Sequence, residues 1–192
     1  MLTGEAHQEI LASLLLGFGL APWRDLGIVD EQGRDALLLA AEDGSLASVE
    51  ALLAAGANPN RRAANGQTSL GRAVIGAHLH IAARLLAAGS DANAAAANGQ
   101  TPLIIAVRTG NRALVETLVA AGADVNRVES SNGNSALMYA ANSGFADLVD
   151  LLLAPGADVN ASASDGWTAL QAAEMVGETG IMRRLRAASR GG

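Results

Sequence analysis

The chain has 192 residues, a formal net charge of −6 and no cysteine, so it can form one ordinary domain or a short repeat array but neither a disulfide nor a thiolate metal site. Half of its residues are hydrophobic and only 3% are aromatic, with Ala and Leu dominating; these are strong helix formers, so an all-α fold is expected and a large sheet is not. The acidic balance argues against nucleic-acid binding, for which Arg61-Arg62 is only a local basic pair.

Read from the N-terminus, Glu5 to Leu16 is a predicted helix. Met1 to Glu9 carries no Arg or Lys but does carry Glu5 and Glu9, so it lacks the character of a signal peptide. No stretch of the chain approaches the roughly 20 apolar residues of a membrane span. A cytoplasmic protein without a membrane segment is therefore expected. The absence of lysine, together with high Ala and Gly content, is in keeping with a bacterial, GC-rich source.

From residue 31 onward the chain repeats itself. Gly56-Ala57-Asn58-Pro59-Asn60 recurs as Gly89-Ser90-Asp91-Ala92-Asn93, Gly122-Ala123-Asp124-Val125-Asn126 and Gly156-Ala157-Asp158-Val159-Asn160. The terminal Asn residues are spaced by 33, 33 and 34. A second marker keeps step: Gly66-Gln67-Thr68-Ser69-Leu70, Gly99-Gln100-Thr101-Pro102-Leu103, Gly133-Asn134-Ser135-Ala136-Leu137 and Gly166-Trp167-Thr168-Ala169-Leu170. Gly33-Arg34-Asp35-Ala36-Leu37 is a degraded fifth copy. Self-similarity at this period marks a stack of identical supersecondary units.

Each unit reads as two helices. The Thr or Ser at 68, 101, 135 and 168 suits an N-cap, and Pro102 suits the first helical position. The first helix runs as in Leu103 to Thr109 and is broken by Gly110, whose equivalents are Gly44, Gly144 and Gly177. A second helix begins near Ala113, with an apolar stripe of Leu114, Val115, Leu118 and Val119, and ends at Gly122. Asn98-Gly99 and Asn132-Gly133 then signal tight turns.

On these motifs, Thr101-Pro102-Leu103 and Gly122-Ala123-Asp124-Val125-Asn126 above all, the chain resembles the ankyrin-repeat family over residues 31–190. The resemblance implies an all-α solenoid of about five stacked helix-turn-helix units joined by β-hairpin loops. The units are read as 31–62, 63–95, 96–128, 129–162 and a truncated C-terminal capping repeat at 163–192. Residues 1–30 would be a degenerate N-terminal capping half-repeat, in which Gly19-Leu20-Ala21-Pro22 echoes Gly56-Ala57-Asn58-Pro59 and Trp23 is a core residue. The family's His after Thr-Pro-Leu is replaced by Leu38, Gly71, Ile104, Met138 and Gln171, so packing must substitute for the usual Thr–His bond. The second repeat is the weakest, with Gly71 and Gly76 read inside its first helix and Ala77 in place of the inter-helix Gly. One extra residue within Arg127 to Ser131 is expected to bulge the loop. Arg183, Arg184 and Arg186 suit the C-terminal end of the final helix.

The resemblance also implies function. Its members bind other proteins through hairpin tips and the exposed face of each first helix. Carried over position by position, the tips are Arg62, Asn65, Gln67, Asn98, Gln100, Glu129, Asn134, Ser164, Asp165 and Trp167. The helix-face positions are Glu42, Asp43, Arg108, Thr109, Asn142, Ser143 and Met175. Trp167 stands where the other copies hold Arg34, Gln67, Gln100 and Asn134, so it reads either as an interface hot spot or as a cover for the C-terminal cap. Tyr139 aligns with Leu39 and Ile105 and reads as core.

Nothing in the sequence points to catalysis, a cofactor or a metal. His78 and His80 are two residues apart, so on a helix they do not share a face, and His78 falls where the family often places His. Neither a nucleophile elbow nor a phosphate-binding loop occurs. Residues 1–60 hold nine acids and two bases, so a basic surface on the partner is expected to dock toward that end. The chain is expected to be monomeric when free. Two finer roles fit: a bacterial inhibitor or immunity protein, and a stress-related accessory to a redox enzyme. A general scaffold is a third.

Overall fold

The computed structural model describes residues 29–190, so the expectations for residues 1–28, Trp23 and the capping half-repeat among them, lie outside the described residues. The described residues form ten helices in five pairs. The pairs are α1 (Ala36–Glu42) with α2 (Leu46–Ala54), α3 (Ser69–Ile75) with α4 (Leu79–Ala87), α5 (Pro102–Arg108) with α6 (Arg112–Ala120), α7 (Ala136–Asn142) with α8 (Ala146–Leu153), and α9 (Ala169–Val176) with α10 (Thr179–Ala188). They fall into two compact units that divide after Ala97. In the first unit α1 packs on α3, and each packs on its own second helix. In the second, α7 lies against both α5 and α9.

The first helices start where the sequence signals. Thr68, Thr101, Ser135 and Thr168 all place a side-chain oxygen against the N–H three residues on, and Asp35 does the same for Leu38 at 2.8 Å. Each such cap contributes about 1 kcal/mol. The cores are leucine layers: Leu37, Leu52, Leu70 and Leu85 in the first unit, Leu103, Leu118, Leu137 and Leu152 in the second, all fully buried. Burial of each stabilises by about 1.5–3 kcal/mol.

Within each pair the chain reverses through one residue in the left-handed region. Gly44, Gly110, Gly144 and Gly177 take φ of 75°, 67°, 73° and 76°, which costs glycine nothing. Ala77 takes φ 56° at the same position, the one non-glycine there among the described residues. The residue that follows lays its side chain over the glycine of the preceding pair. A Cβ on Gly44 would come within 2.6 Å of the His78 ring, and one on Gly110 within 2.9 Å of Phe145. His78 Nε2 also lies 3.3 Å from the Glu42 carbonyl oxygen, so this histidine joins two repeats and is structural.

The repeated Asn has a partner that explains its recurrence. Asn60 Nδ2 donates to the Gly89 carbonyl at 2.9 Å while its Oδ1 accepts from Asp91 N–H at 2.7 Å. Asn126 repeats both bonds with Gly156 and Asp158, at 3.1 and 2.8 Å. One side chain thus satisfies a donor and an acceptor of the next turn.

Two of the loops between pairs carry isolated antiparallel bridges, Val128 with Ser135 and Ser162 with Thr168. Two expectations need correction. Gly76 is the C-cap of α3 rather than an interior residue, and its missing side chain makes room for His78, whose Nε2 would lie 2.4 Å from a Cβ there. Packing does not replace the Thr–His bond in the last repeat. There Gln171 Oε1 accepts from Thr168 N–H at 2.9 Å while Thr168 Oγ1 accepts from Gln171 N–H at 3.3 Å, a reciprocal capping box.

Candidate partner-binding surface

The turns that precede α7 and α9 set the geometry of the surface. Before α9, Asp165 Oδ1 accepts from Trp167 N–H at 3.1 Å, and Ala163 N–H donates to the Trp167 carbonyl at 2.7 Å. Before α7, Asn132 Oδ1 accepts from Asn134 N–H at 2.9 Å. The two turns are joined by Ser164 N–H donating to the Asn132 carbonyl at 2.8 Å. Each Asx turn holds the residue before its cap in place, so Asn134 and Trp167 start from ordered backbone.

Between α7 and α9 lies an open groove of about 250 Å³. Asn134, Asp165 and Trp167 line it from the turns, Met138, Tyr139 and Asn142 from α7, and Thr168, Ala172 and Met175 from the start and length of α9. Trp167 is 40% exposed and Met175 63%. Large apolar side chains left open to water beside polar ones have the composition of a recognition surface.

The groove gathers four of the ten residues expected to bind a partner: Asn134, Asn142, Asp165 and Trp167. Arg108 and Gln100 belong to the same unit but do not line it; Arg108 is exposed and Gln100 half-buried. The other four lie in the first unit. Arg62 donates through Nη2 to the Ala95 carbonyl, and Gln67 is half-buried with an unpaired Oε1. Glu42 is held between Arg34 at 3.1 Å and Arg72 at 3.5 Å, whereas Arg62 and Asp43 are exposed.

Two side chains were misjudged from sequence. Glu129 is not a tip: it is 3% exposed, at the position held by Ala63, Ala96 and Ala163 in other repeats. Tyr139 is half-buried rather than core, because its hydroxyl reaches that glutamate and donates to Oε2 at 2.5 Å. Asn132 and Asn134 place their Nδ2 donors 3.3 and 3.5 Å from the same hydroxyl oxygen. The Arg108 guanidinium sits 5.4 Å from the Tyr139 ring centre and 3.8 Å from Glu129 Oε1. The extra residue of this repeat makes the space. Glu129 N–H bonds to Asn134 O across five residues, whereas Ala63 and Ala163 close the equivalent turn across four. The signal that could have revealed Glu129 is its lone charge in a column of alanines.

The acidic first unit is less negative than residues 1–60 suggest. Over residues 1–97 there are ten acids and six arginines, against nine and two over residues 1–60. Asp30, Arg34, Glu42 and Arg72 form a chain of ion pairs, with Arg34 2.8 Å from Asp30. Burial pushes the Asp30 carboxyl upward, but N–H bonds from Arg34 and Gln32 and the Arg34 guanidinium outweigh it and hold the carboxyl below its ordinary range. Asp35 is 4% exposed, and burial raises its carboxyl despite the Leu38 N–H bond and Arg61 at 3.9 Å.

Among the described residues no group of three His, Asp or Glu side chains could hold a metal ion, and no helix is long and apolar enough to cross a membrane. No curated protein matches the chain. A family profile described as ankyrin repeats in three copies matches residues 37–129, 70–163 and 121–190. Those matches together span most of the chain, and ankyrin repeats generally serve as protein–protein interaction modules. The chain belongs to the ankyrin-repeat family.

Proposed function

We propose that this chain binds one specific partner protein, and that the groove between α7 and α9 is its principal contact. The observation that carries the reading is the meeting of Trp167, Asp165, Asn134 and Asn142 in one groove with two methionines. In each case the residue type differs from its equivalents in the other repeats, and such repeat-specific surface residues have no task in stacking. Trp is the residue most enriched among those whose truncation costs about 2 kcal/mol or more at an interface. The caps and Asx turns hold the groove before binding, so little ordering entropy is lost.

An inhibitor or immunity protein is the finer role that this arrangement serves best. A rigid module without catalytic groups acts on its target by covering it, and the Lys-free composition is in keeping with a bacterial source. The test is affinity capture from the source organism with the wild-type chain, Trp167→Ala and Ala120→Gln, the last an exposed position away from the groove. One protein captured by the wild type and by Ala120→Gln, and lost with Trp167→Ala, is expected. The same protein retained by Trp167→Ala would overturn the assignment of the groove. Inhibition is then read directly, as loss of the captured protein's own activity on adding the chain.

A further inference from the structure

We infer that the groove takes a basic side chain of the partner, an arginine or lysine, flanked in the partner by an apolar residue. This rests on the docking reading above and specifies its chemistry. Asp165 is the one charged residue in the lining, and it is exposed. Its Oδ1 accepts from Trp167 N–H at 3.1 Å, and no ion pair reaches its carboxylate among the described residues. Neighbouring acids are engaged: Asp150 by Arg184 at 2.8 Å, Glu174 by Arg186 at 2.9 Å, and Glu129 by the Tyr139 hydroxyl. The groove therefore offers one uncompensated negative charge and no positive one.

Trp167 and Tyr139 line the same groove. The faces of such rings attract a guanidinium or an ammonium group. Met138 and Met175 add polarizable apolar surface for the aliphatic stem of that side chain and for an apolar neighbour. Tyr139 already has Arg108 at 5.4 Å from its ring centre, which leaves Trp167 as the ring without a cation near it among the described residues. A purely apolar occupant would strip water from Asp165 and leave its charge unmatched, an expensive arrangement. An acidic occupant would meet like charge. A basic side chain satisfies ring, carboxylate and thioethers together.

The experiment pans a displayed library of random peptides against the full chain, then measures one enriched peptide against variants. Enriched peptides are expected to share an Arg or Lys beside an apolar residue. Asp165→Asn keeps the Oδ1 acceptor and so the turn, and removes only the charge; it is expected to weaken that peptide about tenfold, as loss of a charged hydrogen bond does. Asp158→Asn makes the same charge change in an equivalent turn outside the groove, and is expected to bind within about twofold of wild type. Enriched peptides without a base, or Asp165→Asn binding as wild type does, would overturn the inference. Peptides weakened by Trp167→Ala but not by Asp165→Asn keep the groove as the docking site and reject the basic occupant. Peptides indifferent to both, or no groove-dependent peptide at all, reject both readings.

Discussion

Ala77 shows most directly how one residue can set local stability in this chain. At φ 56° its Cβ is in conflict with its own backbone, where four other repeats use glycine. The left-handed conformation costs an L-residue about 1–2 kcal/mol, and the extra freedom of glycine in the unfolded chain returns about half of that. Ala77→Gly is therefore predicted to raise unfolding stability by about 0.5–1 kcal/mol in urea titration, and a loss of stability would show that the strain is not real. Glu129 and Tyr139 make a second case. Their bond at 2.5 Å is part-buried, and the other oxygen of the Glu129 carboxylate has no hydrogen-bond partner. A double-mutant cycle with Glu129→Gln and Tyr139→Phe is predicted to give a coupling energy of about 0.5–3 kcal/mol, and additive single effects would contradict the contact.

Asp35 carries a prediction about pH. Its carboxyl is raised when folded, so the folded chain binds that proton more tightly than the unfolded chain, whose ordinary value is 3.8. The stabilisation from this group is thus fully present below that value and is lost as pH rises through the folded pKa. Asp35→Asn keeps a cap acceptor and cannot titrate. The stability of wild type relative to Asp35→Asn is therefore predicted to grow as pH falls through the carboxylate range in denaturant titrations. A relative stability that falls instead would reverse the assignment. Asp30 works in the opposite sense, being lowered when folded, so comparison with Asp35→Asn rather than the whole chain's pH profile isolates the effect.

At the scale of the helix, the second repeat holds two glycines that read alike in sequence and differ in space. Gly71 lies inside α3, and a Cβ there would meet only Thr68 Oγ1 at 3.6 Å, an ordinary contact. Gly71→Ala is predicted to stabilise by about 1 kcal/mol through helix propensity. Gly76→Ala is predicted to destabilise, because the added methyl would lie 2.4 Å from the His78 ring; paired thermal melts distinguish the two. Periodicity could place both glycines near one helix, but it could not tell interior from cap, since that depends on where the chain turns at Ala77 and on the His78 ring two residues beyond Gly76. The helix pairs themselves followed from the repeat because caps, breakers and apolar stripe agree at every level.

At the scale of the whole chain, residue type and charge point to different surfaces. Trp167 was visible as a departure from its repeat column, and it meets Asp165, Asn134 and Asn142 in the groove. The acidity of residues 1–60 was equally visible, yet Arg72 of the next repeat and Arg61 of the same one reach Glu42 and Asp35 and offset part of it. Net charge counted along a sequence cannot register such pairing. These pairs set positive charge against the carboxylates and so remove free charge from that end. The groove keeps its single unmatched carboxylate at Asp165, and that is where the account places recognition. The most direct test replaces Met175 with a photoreactive benzoyl-phenylalanine and repeats this at Ala120, then irradiates each chain with its captured partner. A crosslink from position 175 and none from position 120 is predicted; a crosslink from 120 with none from 175 would contradict the claim that the groove is the docking site.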